Sequence, residues 1–139
     1  MSDALRPRED AELAERLAGL LPEASAIYLF GSAASGGARP DSDLDLAVLG
    51  PRPLPPERMI RAREELAERL RRDVDLVDLV RAPTVLQAQI VSTGRVIRDL
   101  DPPGRERFET YVYSAYARLN EERRGIVERI RREGRVHGR

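Results

Sequence analysis

Apolar residues along this chain fall into two patterns, helical spacing and short near-continuous runs. Leu13, Leu17, Leu20 and Leu21 recur at helical spacing behind Pro7, which suits a first helical turn, and Pro22 ends the segment. Ala26 to Phe30 (AIYLF) is a short apolar run between Ser and Gly, the pattern of a buried strand. After a Gly-, Ser- and Ala-rich loop, Leu44 to Leu49 (LDLAVL) reads as a second strand, closed by Gly50 and PRPLPP. A helix over 57–72 turns Ile60, Leu66 and Leu70 toward the core, and VDLVDLV (74–80) predicts a third strand. Pro83 opens a short helix to about Ile90, closed by Thr93-Gly94. RVIR (95–98) predicts a last short strand. Asp101-Pro102-Pro103-Gly104 is a break, and from Arg105 the chain reads as one long helix that can bend at Gly125 and ends in a basic tail after Gly134.

That order of elements predicts an α/β (α+β) fold in which a small mixed sheet is flanked by helices. Residues 1–100 form the body, and 101–139 a C-terminal helical arm of the same domain. On the arm, Phe108, Tyr111, Val112, Ala115 and Leu119 form a packing stripe, while Tyr113 and Tyr116 fall off it, where tyrosines favour partner contacts. Its Arg and Glu residues interleave as on a solvated helix with i,i+4 pairs.

Composition narrows the function classes. The chain has 139 residues, 41% hydrophobic and 35% charged, which suits one globular domain rather than a disordered segment. Basic and acidic residues balance at 24 each, so net charge lends no support to a general nucleic-acid role. All 24 basic residues are arginine. The absence of cysteine excludes disulfides, thiolate metal sites and a cysteine nucleophile. The charged N-terminus is no signal peptide and no apolar run approaches the ~20 residues of a membrane span, so a cytoplasmic protein without membrane contact is expected. His137, the one histidine, reads as a tail residue.

The candidate chemistry lies in GSAASGGARPDSDLD (31–45). Asp43 and Asp45 emerge on one face of a strand while Leu44 and Leu46 enter the core from the other. Two carboxylates held so close repel unless a cation neutralises them, and hard oxygen ligands suit Mg²⁺ bound with phosphate oxygens. A lone D-x-D is common on solvated strands. Here it follows Gly31-Ser32 at the end of a buried strand, where a glycine lets backbone approach a ligand and a hydroxyl can hold a phosphoryl oxygen. Asp75, within the apolar VDLV, is the choice for a third acid that joins the metal pair and accepts a proton; Asp73 is the alternate, and Asp78 reads as a surface or capping group.

GS-x10-D-x-D between AIYLF and LAVL resembles the nucleotidyltransferase superfamily related to DNA polymerase β, in its minimal form. VDLVDL and RVIRDLDPPGRERFETYVYSAYARL extend the likeness to the MntA-type adenylyltransferase antitoxins of HEPT–MNT (type VII) toxin–antitoxin pairs. The resemblance implies that Gly31 and Ser32 hold the phosphates of ATP, that Asp43 and Asp45 bind two Mg²⁺ ions, and that Asp75 shares one metal and activates the acceptor hydroxyl. It implies transfer of AMP from ATP to a tyrosine of a partner HEPT ribonuclease toxin, which silences it. The chain departs from the family's GSRARG-like loop in having Ala33 and Ser35 after Gly-Ser, with Arg39 later in the loop. Two other functions fit the residues: neutralisation of a toxin by binding alone, and adenylylation of a small molecule such as an aminoglycoside.

Overall fold

The short apolar runs pair into one four-stranded sheet. In the computed structural model, which describes residues 2–31 and 43–137, strands β1 (Ala26–Phe30), β2 (Leu44–Leu49), β3 (Val74–Asp78) and β4 (Arg95–Asp99) lie in the order β3-β2-β1-β4. β1 is antiparallel to β2 and β4, and β3 is parallel to β2, so the sheet is mixed as expected. Helices α1 (Ser2–Leu20), α2 (Pro56–Leu70), α3 (Thr84–Thr93) and α4 (Pro102–His137) complete the chain.

Both sheet faces are covered, which the continuous apolar character of β1 foreshadows. On one face Ile27, Leu29, Leu44, Leu46, Val48 and Val74 pack against Ala14, Leu17 and Leu21 of the α1 segment and Ala62 and Leu66 of α2. On the other, Ala26, Tyr28, Phe30, Ala47 and Leu49 pack against Ile90 of α3 and Phe108 of α4. A bulge in β4 opposite Ile27/Tyr28 resets the alternation of that strand. Arg95 consequently meets Asp10 of α1 at 2.9 Å on one face, while Asp99 meets Arg105 of α4 at 2.9 Å on the other.

Four element boundaries differ from the sequence reading. α1 runs from Ser2, so Pro7 lies inside the helix rather than at its first turn. α2 ends at Leu70, two residues early, because Arg71 adopts a left-handed conformation (φ 53°, ψ 44°) and its N–H bonds to Ala67 O. The pattern gave no warning, since glycine ordinarily marks such a stop. β3 ends at Asp78, with Leu79 and Val80 in a turn. α4 begins at Pro102: Asp101 Oδ1 accepts the Gly104 N–H at 3.2 Å as an N-cap, and both prolines fit a first turn, where no N–H is required. The helix then continues unbroken through Gly125 and past Gly134 to His137.

Three side-chain expectations are corrected as well. Ile60 is 51% exposed, because Met59, Ala62, Leu66 and Leu70 form the inward face of α2 and Ile60 stands about 100° away from Met59. Tyr111 is 62% exposed and leaves the α4 packing stripe, whereas Val112 is fully buried and Tyr116 half-buried. Asp78 is buried instead of superficial, though it does act as a cap. Its carboxylate accepts Leu54 N–H at 2.8 Å and Val80 N–H at 3.2 Å, which ties the proline-rich loop after β2 to the turn after β3.

Two stability results are expected from these contacts. Arg71→Gly relieves a left-handed residue and should raise stability by about 0.5–1 kcal/mol in denaturant titration. Asp78→Ala should lower it by about 1–3 kcal/mol in the same titration, since a buried N–H and a half-buried one lose their acceptor.

Candidate active site

The carboxylates meet where β1, β2 and β3 come side by side. Asp45, the second residue of β2, lies opposite Phe30 of β1 and in register with Asp75 of β3. Residues in register on neighbouring strands project to the same face, so Asp45 and Asp75 emerge together. Asp43, two residues before Asp45, shares its parity. The leucines between them, Leu44 and Leu46, enter the α1/α2 core as expected.

Electrostatics confirm that these acids feel one another. Partial burial raises the Asp45 carboxyl above the ordinary Asp range, and the charges of Asp75 and then Asp43 raise it further, as does a side-chain hydrogen bond with Asp75. Asp75, and not Asp73, is therefore the acid beside Asp45; Asp73 is exposed just ahead of β3, where its carbonyl accepts Leu44 N–H at 2.9 Å. Asp75 is itself exposed, contrary to its apolar sequence setting, because β3 is an edge strand. Among the described residues no three acidic side chains are gathered tightly enough to form a ready-made metal cluster. The donor set still fits a hard cation: two adjacent carboxylates, a third within Coulombic range, and an unrelieved repulsion at Asp45 that a divalent ion would cancel.

Gly31 closes the site from the β1 side. It has φ +73°, and a Cβ built on it would collide with Asp45 Oδ2 and lie 3.2 Å from Asp45 Cγ. Both facts demand glycine, and both bring bare backbone against the carboxylate. Ser32, Ala33, Ser35 and Arg39 lie outside the described residues.

A partly buried polar network that the sequence reading missed holds α4 over this face. Tyr28 OH donates to Glu109 Oε2 at 2.7 Å, and Arg105 bridges Glu109 at 3.0 Å and Asp99 at 2.9 Å. Burial, and then Glu109, push the Tyr28 phenol far above its usual range, so it stays a donor. One sequence signal pointed to it: a tyrosine inside the buried run AIYLF needs a partner for its hydroxyl.

A mixed sheet with helices on both faces, presenting paired acids on adjacent strands against a glycine turn, is the framework of a nucleotidyltransferase. The model of the family "Polymerase beta, Nucleotidyltransferase" matches residues 13–102, and the chain belongs to that family. It is 36% identical over 110 residues to the protein adenylyltransferase MntA of Shewanella oneidensis, covering 79% of this chain and 78% of that protein. Among solved structures, a toxin–antitoxin complex with AMP-PNP superposes with a TM-score of 0.78 at 34% identity, covering 87% of this chain and 97% of that one. The tri-AMPylated Shewanella oneidensis HEPN toxin in complex with MNT antitoxin gives 0.73 at 32% identity, covering 87% and 94%. No described helix is long and apolar enough to cross a membrane.

Proposed function

We propose that this chain is a Mg²⁺-dependent protein adenylyltransferase and the antitoxin of a two-protein module: it transfers AMP from ATP to a tyrosine of a partner HEPT ribonuclease toxin in the cytoplasm and so silences it. The observation that supports this reading most is the juxtaposition of Asp45 and Asp75 against Gly31, in a chain similar to an antitoxin seen with an AMPylated toxin. Asp43, Asp45 and Asp75 would hold two Mg²⁺ ions, which supply charge stabilisation to the attacking and leaving oxygens of an in-line displacement. The bare backbone of Gly31 leaves room for the phosphates, and the hydroxyl of Ser32, next in the sequence, would add a donor. The tyrosine oxygen forms its new bond to the α-phosphorus as the bond from that phosphorus to the β-bridging oxygen breaks. Pyrophosphate leaves, and Asp75, exposed at the sheet edge, takes the phenolic proton.

The test is to incubate the purified chain with its cognate HEPT-domain toxin, α-labelled ATP and Mg²⁺. Label on the toxin, abolished by EDTA, is the expected result. A tight complex without label would mean neutralisation by binding alone. Neither complex nor label would point to a small-molecule acceptor. In the same assay Asp75→Asn should cut transfer about 10²–10⁴-fold, the scale of a lost general base, while part of the ATP binding survives. If Asp73→Asn is crippling and Asp75→Asn silent, the proton acceptor is misassigned.

A further inference from the structure

Residues 121–134 of α4 are exposed on every side, yet they are not polar on every side. Ile126, Val127 and Ile130 are 50%, 45% and 60% exposed. Their phase is informative. Leu119, Ile126 and Ile130 follow the fully buried Val112 by about two, four and five helical turns, so the stripe that packs on the sheet continues past it in register. A helix that had only to be solvated would not carry it on.

The direction of α4 locates that extension. Arg105 meets Asp99, which lies beside Ala26, and Glu109 meets Tyr28, so α4 advances along β1 from Ala26 toward Gly31. Gly31 is about 10 Å beyond Tyr28, level with a residue some seven positions after Glu109 at ~1.5 Å rise each. The segment from about Asn120 onward therefore projects past the glycine turn. It lies on the sheet face that carries Asp45 and Asp75, with its apolar stripe turned to that side.

We propose that this overhanging face of α4, centred on Ile126, Val127 and Ile130, docks the acceptor protein while its tyrosine enters the carboxylate site. The inference rests on the adenylyltransferase reading and adds the surface that selects the partner. Three half-exposed aliphatic side chains fall well short of the ~800 Å² per partner of a stable interface, so the stripe alone cannot hold a second copy of this chain. An acceptor that engages the stripe and the site together gains both areas at once. Charge describes its chemistry further. Between residues 123 and 132 stand five arginines (123, 124, 129, 131 and 132) against the single Glu128. Arg123, Arg124, Val127, Glu128 and Arg131 share the exposed helix surface beside the stripe. The partner is thus a protein presenting an apolar patch rimmed by carboxylates.

The test compares wild type with Ile126→Glu/Ile130→Glu, and separately with Arg123→Glu/Arg131→Glu, all of them exposed positions. With the cognate HEPT toxin, the isoleucine variant should bind at least 30-fold more weakly and lose AMP transfer to match. Helical circular dichroism and the thermal shift caused by ATP with Mg²⁺ should be unchanged. The arginine variant should show a smaller loss and a flatter dependence on salt. Undiminished toxin binding and transfer by both variants would overturn the dock while leaving the adenylyltransferase reading intact. A wild-type homodimer in sedimentation that the isoleucine variant dissolves would also overturn it, with a second copy as occupant. A wild type that needs the stripe to bind the toxin but transfers no AMP would keep the dock and remove the reading beneath it.

Discussion

Asp45→Asn should abolish AMP transfer, by about 10³-fold or more, and at the same time make the protein more stable. The first effect follows from loss of a metal-binding carboxylate at the centre of the acid group, where 10³-fold corresponds to roughly 4 kcal/mol of transition-state stabilisation. The second follows from the electrostatics. Partial burial and the neighbouring charges of Asp75 and Asp43 raise the Asp45 carboxyl in the folded state, so the folded protein holds that proton more tightly than the unfolded chain does. The stability linked to it is fully present below the unfolded value of about 4, and is lost as pH rises through the folded value. At neutral pH the ionised side chain therefore opposes folding. Asparagine keeps the shape without the charge. Its melting temperature should exceed that of wild type by a few degrees at pH 7 in EDTA, with the gap closing toward pH 4. Mg²⁺ should raise the wild-type melting temperature by mass action and leave the variant nearly unmoved. Equal melting temperatures at pH 7, or full transfer by the variant, would contradict the assignment.

Gly31→Ala carries the other large effect, and its two readouts move together. A left-handed φ costs a residue with a Cβ about 1–2 kcal/mol, and that Cβ would displace the Asp45 carboxylate as well. A shift of about 1 Å in a reacting group costs on the order of 10²-fold in rate. Transfer should fall by that amount and the melting temperature should fall with it. The stability change is thus opposite in sign to that of Asp45→Asn while activity drops in both. The pair separates a charge effect from a shape effect at one contact, with calorimetry and the labelled-ATP assay as the measurements. An alanine variant with wild-type transfer would show that the glycine turn does not shape the site.

Much of the fold was legible because its signals are local. AIYLF and LDLAVL are short, mostly apolar runs of five and six residues, each followed by glycine, that specify a strand without reference to anything distant, and both strands appear with the expected bounds. The family resemblance was legible for the same reason: Gly-Ser and D-x-D are linked by a spacing that can be read directly from the chain. The boundaries that shifted depended on side chains acting at a distance or against their propensity. Arg71 stops α2 in a conformation that arginine rarely adopts, and Asp101 turns a Pro-Pro-Gly break into a helix start.

Pairings between strands and helices belong to the tertiary structure. From the sequence alone it follows that Asp43 and Asp45 point to one side of their strand, and Asp73 and Asp75 to one side of theirs, because a strand's period is two. The sequence favoured Asp75 over Asp73 from the apolar setting of VDLV, whereas what places Asp75 beside Asp45 is the register of β3 against β2, which packing on both faces of the sheet sets. The sequence could not show that Asp78 would be buried under the β2 loop, or that Tyr28 would find Glu109 eighty-one residues away. Those contacts exist only once the sheet is assembled, because a buried polar group must find its partner wherever the packing puts one.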